Sequence, residues 1–174
     1  MYKVESEFEY KGYKCVTTFS DMGHRCGYVG IPEGHILYGK HYGDYLDISK
    51  SELENEPIGK RGIMLLMFSA WDDNDNVKLE LYFDVHGGIT YSDKHETYPI
   101  ESDLWWLGFD CAHYGDGKDM DLVEKYWGDD PHIQKRIEIE REYSLDYPVR
   151  SQQYVEDECR SLVDQIERLV NRKE

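Results

Sequence analysis

Residues 151–171 constrain this chain more than any other stretch. Val155, Cys159, Leu162, Val163, Ile166, Leu169 and Val170 recur at i, i+4 and i+7 spacing, which gathers them into one apolar stripe along a helix. Ser151 stands where an N-cap belongs, with a hydroxyl that accepts from the first unpaired N–H groups. The pattern predicts a helix running to about Asn171, and such a helix is stable only against a second apolar layer. Alternating segments upstream supply that layer. Residues 7–18 alternate around Gly12, the mark of a hairpin with strands near 3–10 and 13–19. Residues 25–31 read as a short strand ending at Pro32, and Val77, Leu79, Leu81, Phe83 and Val85 fall on one face of an extended segment over 77–85. Residues 89–92 resume extended structure, and 105–111 complete the set. The expected fold class is α+β, a mainly antiparallel sheet packed against a long C-terminal helix.

At 174 residues the chain has the length of a single domain over 1–174. Strands and loops occupy 1–116, a charged arm 117–148, and the helix 151–171. Within the arm, 120–127 predicts a short helix closed by Gly128. Residues 131–143 predict a marginal helix or surface arm anchored by Ile133, Ile137 and Ile139. Three glycines in 34–44 argue for a loop. Residues 45–60 form a polar excursion with a short helical piece at 49–55. The run 62–71 is continuously apolar, and periodicity does not decide between strand and helix there. The acidic run 72–76 superficially suggests a calcium loop, but the Gly and Glu required at its sixth and twelfth positions are Val77 and Phe83. A solvated turn fits better.

Charge narrows the function classes. Thirty-six acids against 20 bases leave a formal charge of −16, which excludes general nucleic-acid binding, since that needs a basic face to displace counterions. A small anion held by a local Arg cluster and backbone N–H groups is still allowed. No apolar run approaches the ~20 residues of a membrane span, and the first residues lack a signal-peptide pattern. Cysteines at 15, 26, 111 and 159 are too dispersed for a disulfide framework. A cytoplasmic protein with reduced thiols is expected.

Residues 104–116 carry the chemistry. A dense apolar segment runs straight into Asp110, Cys111, His113 and Asp116, which is how a fold delivers titratable groups to the rim of a pocket. Trp106-Leu107-Gly108-Phe109-Asp110-Cys111-Ala112-His113-Tyr114-Gly115-Asp116 resembles the signature of a family of largely uncharacterised accessory proteins of tailed bacteriophages and prophages. Further stretches resemble that family in the same order: 23–35 with Leu37-Tyr38-Gly39, 85–92, and Val149-Arg150-Ser151 leading into Glu158-Cys159 and Leu162. By analogy with viral proteins that sequester nucleotide signals, the resemblance implies an anti-defence sponge in the bacterial host cell.

Three site arrangements follow from the residues. In the first, Arg25, His35, Tyr38, Lys40, His86, Gly87, Gly88, Tyr91, Trp106, Asp110, His113 and Arg150 bind a small polar ligand such as a nucleotide without turnover. Aromatics would stack on a base, cations and glycine N–H groups would hold phosphate, and no cofactor would be needed. In the second, His86, Asp110, His113 and Asp116 form the centre of a metal- or His/Asp-dependent hydrolase acting on such a molecule. In the third, His24, Cys26, Cys111 and His113 hold zinc or another divalent metal, because each i, i+2 pair shares a strand face. A Cys111 nucleophile paired with His113 is conceivable, but that spacing is not itself a dyad geometry. An acidic surface that engages a host protein is a further alternative.

Overall fold

The computed structural model describes residues 1–54, 73–143 and 145–172; the apolar run 62–71 lies outside the described residues. Strands β1 (Tyr2–Tyr10), β2 (Tyr13–Ser20), β3 (Arg25–Ile31), β6 (Tyr91–Asp93) and β7 (Trp105–Asp110) form one antiparallel sheet in the order β1-β2-β3-β7-β6. The hairpin falls where the alternation places it, with Tyr10 opposite Tyr13 across the two-residue turn Lys11-Gly12, both at positive φ as tight hairpins require. The fold is α+β.

The C-terminal helix, Gln152–Asn171, lies across β2 and β3. Ser151 caps it, its hydroxyl accepting from the Tyr154 N–H at 3.1 Å. Its stripe from Val155 to Leu169 is buried against Cys15, Val29, Ile31, Leu107 and Phe109. Gly27 makes that approach possible, because a Cβ there would sit 2.4 Å from Phe109 and 2.8 Å from the Cys159 sulfur. Burial of this kind contributes about 25 cal/mol per Å² of apolar surface, so the stripe and its sheet face hold the two layers together.

One segment and one anchor residue differ from expectation. Residues 77–85 are not one strand of the main sheet. Asn76–Lys78 (β5) pairs with Tyr45–Ser49 (β4) in a separate two-stranded sheet, and Leu79–Tyr82 then makes a single helical turn. The Leu79 and Glu80 N–H groups donate to the Asp44 and Tyr42 carbonyls at 2.9 and 3.0 Å, so the 42–44 loop takes the place of a ladder. Val77, Leu79, Phe83 and Val85 still point into the core. Alternation here reports burial and not pairing. The charged segment after Asp116 holds the short helix expected at 120–127, Met120–Trp127, and of the alternatives at 131–143 the helix, Pro131–Tyr143; the two close over Phe19 through Met120, Val123, Ile133 and Ile137. Ile139, expected as an anchor, is exposed.

The short helix Lys50–Glu54 matches the expected piece as far as the described residues go. Among the described residues no helix is long and apolar enough to cross a membrane. All four cysteines are free thiols and buried.

Candidate functional site

The site forms where β7 ends, beside the first two turns of the C-terminal helix. Three chain segments meet there: 84–90, 110–116 and 150–158. The helix pegs the first of these through its polar flank. Gln165 brackets Asp84 with two bonds, its Oε1 accepting the Asp84 N–H at 2.7 Å and its Nε2 donating to the Asp84 carbonyl at 2.8 Å. Glu158 accepts the His86 N–H at 2.7 Å. The second segment is folded by its own aspartates. Asp110 accepts from the Ala112 N–H at 3.1 Å and the Thr90 hydroxyl at 2.8 Å, which turns the chain away from the sheet.

Asp116 is the hub. Its side chain is 3% exposed, and one oxygen, Oδ2, accepts from His86 Nε2 at 2.7 Å and from the His113 N–H at 3.0 Å. The other, Oδ1, accepts from Arg150 Nε at 3.0 Å. Burial works to raise the carboxyl's pKa, but the bonds from His86, Arg150 and the His113 N–H outweigh it and hold the group below the usual carboxylate range. Asp116 is therefore an anion at neutral pH. With Nε2 committed as donor to it, His86 Nδ1 accepts from the Tyr154 hydroxyl at 3.0 Å. The Arg150 guanidinium lies over the Tyr154 ring at 5.1 Å.

His113 is the open member. Its side chain is 38% exposed, and its Nδ1 lies 3.9 Å from Asp110 and 3.8 Å from Asp116, beyond hydrogen-bond reach of either. The ring sits against Gly87, where a Cβ would come within 1.9 Å of the imidazole. Gly87 also adopts φ +68°, so that position is specified both by backbone angle and by space. His86, His113 and Asp116 each offer a ligand atom, all within 4.8 Å of one another, the only such trio of His, Cys, Asp or Glu among the described residues.

Of the twelve residues expected to bind a ligand, the structure brings together His86, Gly87, Asp110, His113 and Arg150, with Gly88 in the adjoining turn. Arg25 stands behind them. It donates to the Arg150 carbonyl at 2.9 Å and forks onto both oxygens of Glu5 at 2.7 and 3.0 Å, which spends it on holding the 150 segment in place. The rest lie elsewhere. Trp106 is fully buried on the sheet face away from the helix, with Tyr91 packed beside it. His35 bonds to Tyr13, and Tyr38 and the Lys40 carbonyl stand with Trp105 near the start of β7. From there to Asp110 is roughly 17 Å of extended chain.

The set His24, Cys26, Cys111 and His113 is not assembled. Cys26 pairs with Asp110 in the sheet, so it shares the face of Asp110, and Cys111, one residue on, faces the opposite way. The two thiols accordingly sit in separate cores, Cys26 with Tyr28 and Trp106, Cys111 with the helix. Burial pushes the Cys111 thiol up to about 12, which leaves it inert as a nucleophile at neutral pH. Sequence reasoning did not single out Tyr154, and it met Glu158 only inside the family-like stretch, not as a site residue. The available signal was their i, i+4 spacing one residue off the apolar stripe, beside Arg150.

No protein-family model, curated protein or solved structure matches this chain. The site's meaning therefore rests on its own chemistry.

Proposed function

We propose that this protein hydrolyses a small polar molecule at the centre formed by His86, His113, Asp116 and Arg150. A nucleotide-derived immune signal in the cytoplasm of a bacterial host is the substrate class that the phage-like resemblance implies. The observation that carries the reading is the convergence of two imidazoles on one buried, anionic carboxylate, with the second imidazole open to solvent. Water held between His113 and Asp116 would be oriented for attack, and an imidazole that is exposed yet positioned suits proton transfer. Arg150 meets Asp116 through its Nε, and among the described residues its two Nη groups make no hydrogen bond, so they can meet an anionic substrate group. Asp110 holds the turn that presents His113.

This ranks turnover above sequestration. Of the aromatics expected to stack, Trp106, Tyr91 and Tyr38 lie away from Arg150 and His113, while Tyr154, which does lie against Arg150, is tied to His86, and Tyr114 stands exposed at the rim. The test is incubation with a panel of nucleotides and cyclic dinucleotides, followed by mass spectrometry of the small molecules. Products from the native protein and none from His113→Ala are expected. A nucleotide retained by the native protein and returned intact on denaturation would instead make it a sponge.

A further inference from the structure

We infer that His86, His113 and Asp116 bind one divalent transition-metal ion of the zinc type, with Arg150 and Tyr154 as the outer groups that set the ligands' orientation. The inference deepens the hydrolytic reading, on which its catalytic meaning rests, by naming the cofactor of that same site.

The first argument is the ligand set. Two imidazoles and one carboxylate form a nitrogen-rich, borderline donor set that suits zinc and its first-row neighbours and not the oxygen-seeking calcium or magnesium. Three protein ligands leave a coordination position open, as hydrolytic metal sites require.

The second argument is the outer shell. In a metal site the ligand atoms that face away from the ion are commonly held by fixed partners, and two of the three ligands here are. Here Asp116 Oδ1, the oxygen not shared with the histidines, is held by Arg150 at 3.0 Å. His86 Nδ1, the nitrogen away from the cluster, is held by the Tyr154 hydroxyl at 3.0 Å. That hydroxyl donates to Nδ1 while Nε2–H is bonded to Asp116, and it accepts from Nδ1–H once Nε2 gives its lone pair to an ion. A phenol serves both tautomers, so loading needs no new partner for His86.

The third argument is reach. Ligand atoms bound to one ion at ~2.0–2.2 Å stand ~3–3.5 Å apart. The His86–Asp116 pair at 2.7 Å and the His113–Asp116 pair at 3.8 Å bracket that spacing. The adjustment falls on His113, whose ring makes no hydrogen bond among the described residues and turns in the space that Gly87 leaves. An ion would also balance local charge, since among the described residues Arg150 is the one arginine or lysine bonded to Asp116 while Asp110 stands beside it.

The experiment is isothermal titration of the full chain, stripped with a chelator, with Zn²⁺ and separately with Mg²⁺. One Zn²⁺ per chain is expected, with much weaker binding of Mg²⁺. His113→Ala should weaken Zn²⁺ binding at least tenfold, and Tyr154→Phe, which touches no ion, by about tenfold. His132→Ala, on the exposed surface, should change nothing. Cobalt loading gives a second readout, a visible d–d band present in the native chain and lost in His113→Ala. Absence of stoichiometric binding, or binding that His113→Ala leaves intact, overturns the inference. Metal bound without turnover of any substrate leaves the inference standing and removes the hydrolytic reading. Turnover that survives complete metal removal does the reverse.

Discussion

The two ends of the C-terminal helix carry the same three kinds of side chain, a tyrosine, a histidine and a carboxylate, wired in opposite orders. At the N-terminal end the histidine is central: Asp116 bonds His86, which bonds Tyr154. Toward the C-terminal end, roughly 20 Å further along at about 1.5 Å per residue, the tyrosine is central. Tyr13 donates to Glu167 at 2.8 Å and meets His35 Nε2 at 3.1 Å, while His35 Nδ1 accepts the Leu37 N–H at 3.1 Å. Both nitrogens of His35 and the Tyr13 hydroxyl are used internally, so the trio acts as a clasp holding the 32–40 loop to the sheet and helix. The first trio adds a second histidine whose ring, and an arginine whose Nη groups, make no hydrogen bond among the described residues. Residue types alone do not separate a site from a clasp; unspent valence at the solvent face does.

The comparison breaks most visibly at Asp116. Asp116→Ala strips an acceptor from Arg150, His86 and the His113 N–H together. Unfolding by urea should show a loss of about 2–3 kcal/mol, below the figure for a fully buried pair because Arg150 is a third exposed. Metal binding and turnover should disappear as well. Gly87→Ala comes next. Strain at positive φ and the clash with His113 should cost about 1–2 kcal/mol and displace the ring, so turnover falls far more than stability. At the other end, Tyr13→Phe should cost about 1 kcal/mol and leave turnover unchanged; a matching loss of activity would mean that the two ends are coupled.

Acid should separate the contributions in pH. Burial holds the imidazoles of His35 and His24 below the usual histidine range. The folded state therefore takes up their protons less readily than the unfolded chain. Their stabilisation is complete above about pH 6.5 and is lost as the pH falls through their lower folded values. Asp116 behaves in the same sense in a lower window: its contribution is complete above about pH 3.9 and is lost as the pH falls through its depressed folded value. His35→Gln should flatten part of the upper window and leave the lower one in place, as stability measured from pH 8 to pH 3 would record. The smallest effect belongs to Cys111→Ala, which should leave turnover intact. The native thiols, all buried, should resist labelling at pH 8 until the chain is unfolded.

Much of the frame was legible because it depends on local pattern. The Ser151 cap, the helix to Asn171, the first hairpin and the strand Arg25–Ile31 follow from spacing and cap chemistry. His86, Asp110, His113, Asp116 and Arg150 were legible as candidates from their residue types and their turn-rich surroundings. Their mutual arrangement was not, since it is set by contacts between segments distant in sequence. The 26–110 register divides Cys26 from Cys111, and no feature within either segment encodes it. Likewise, the 77–85 alternation was satisfied by burial alone once the 42–44 carbonyls claimed the Leu79 and Glu80 N–H groups.

Native mass spectrometry of the full chain purified from its host cells, repeated after heat release, tests the central claim most directly. The account predicts one divalent metal ion per chain and no stoichiometric organic ligand, because a substrate that is turned over does not stay. A nucleotide recovered intact and in stoichiometric amount, with no metal, would contradict it.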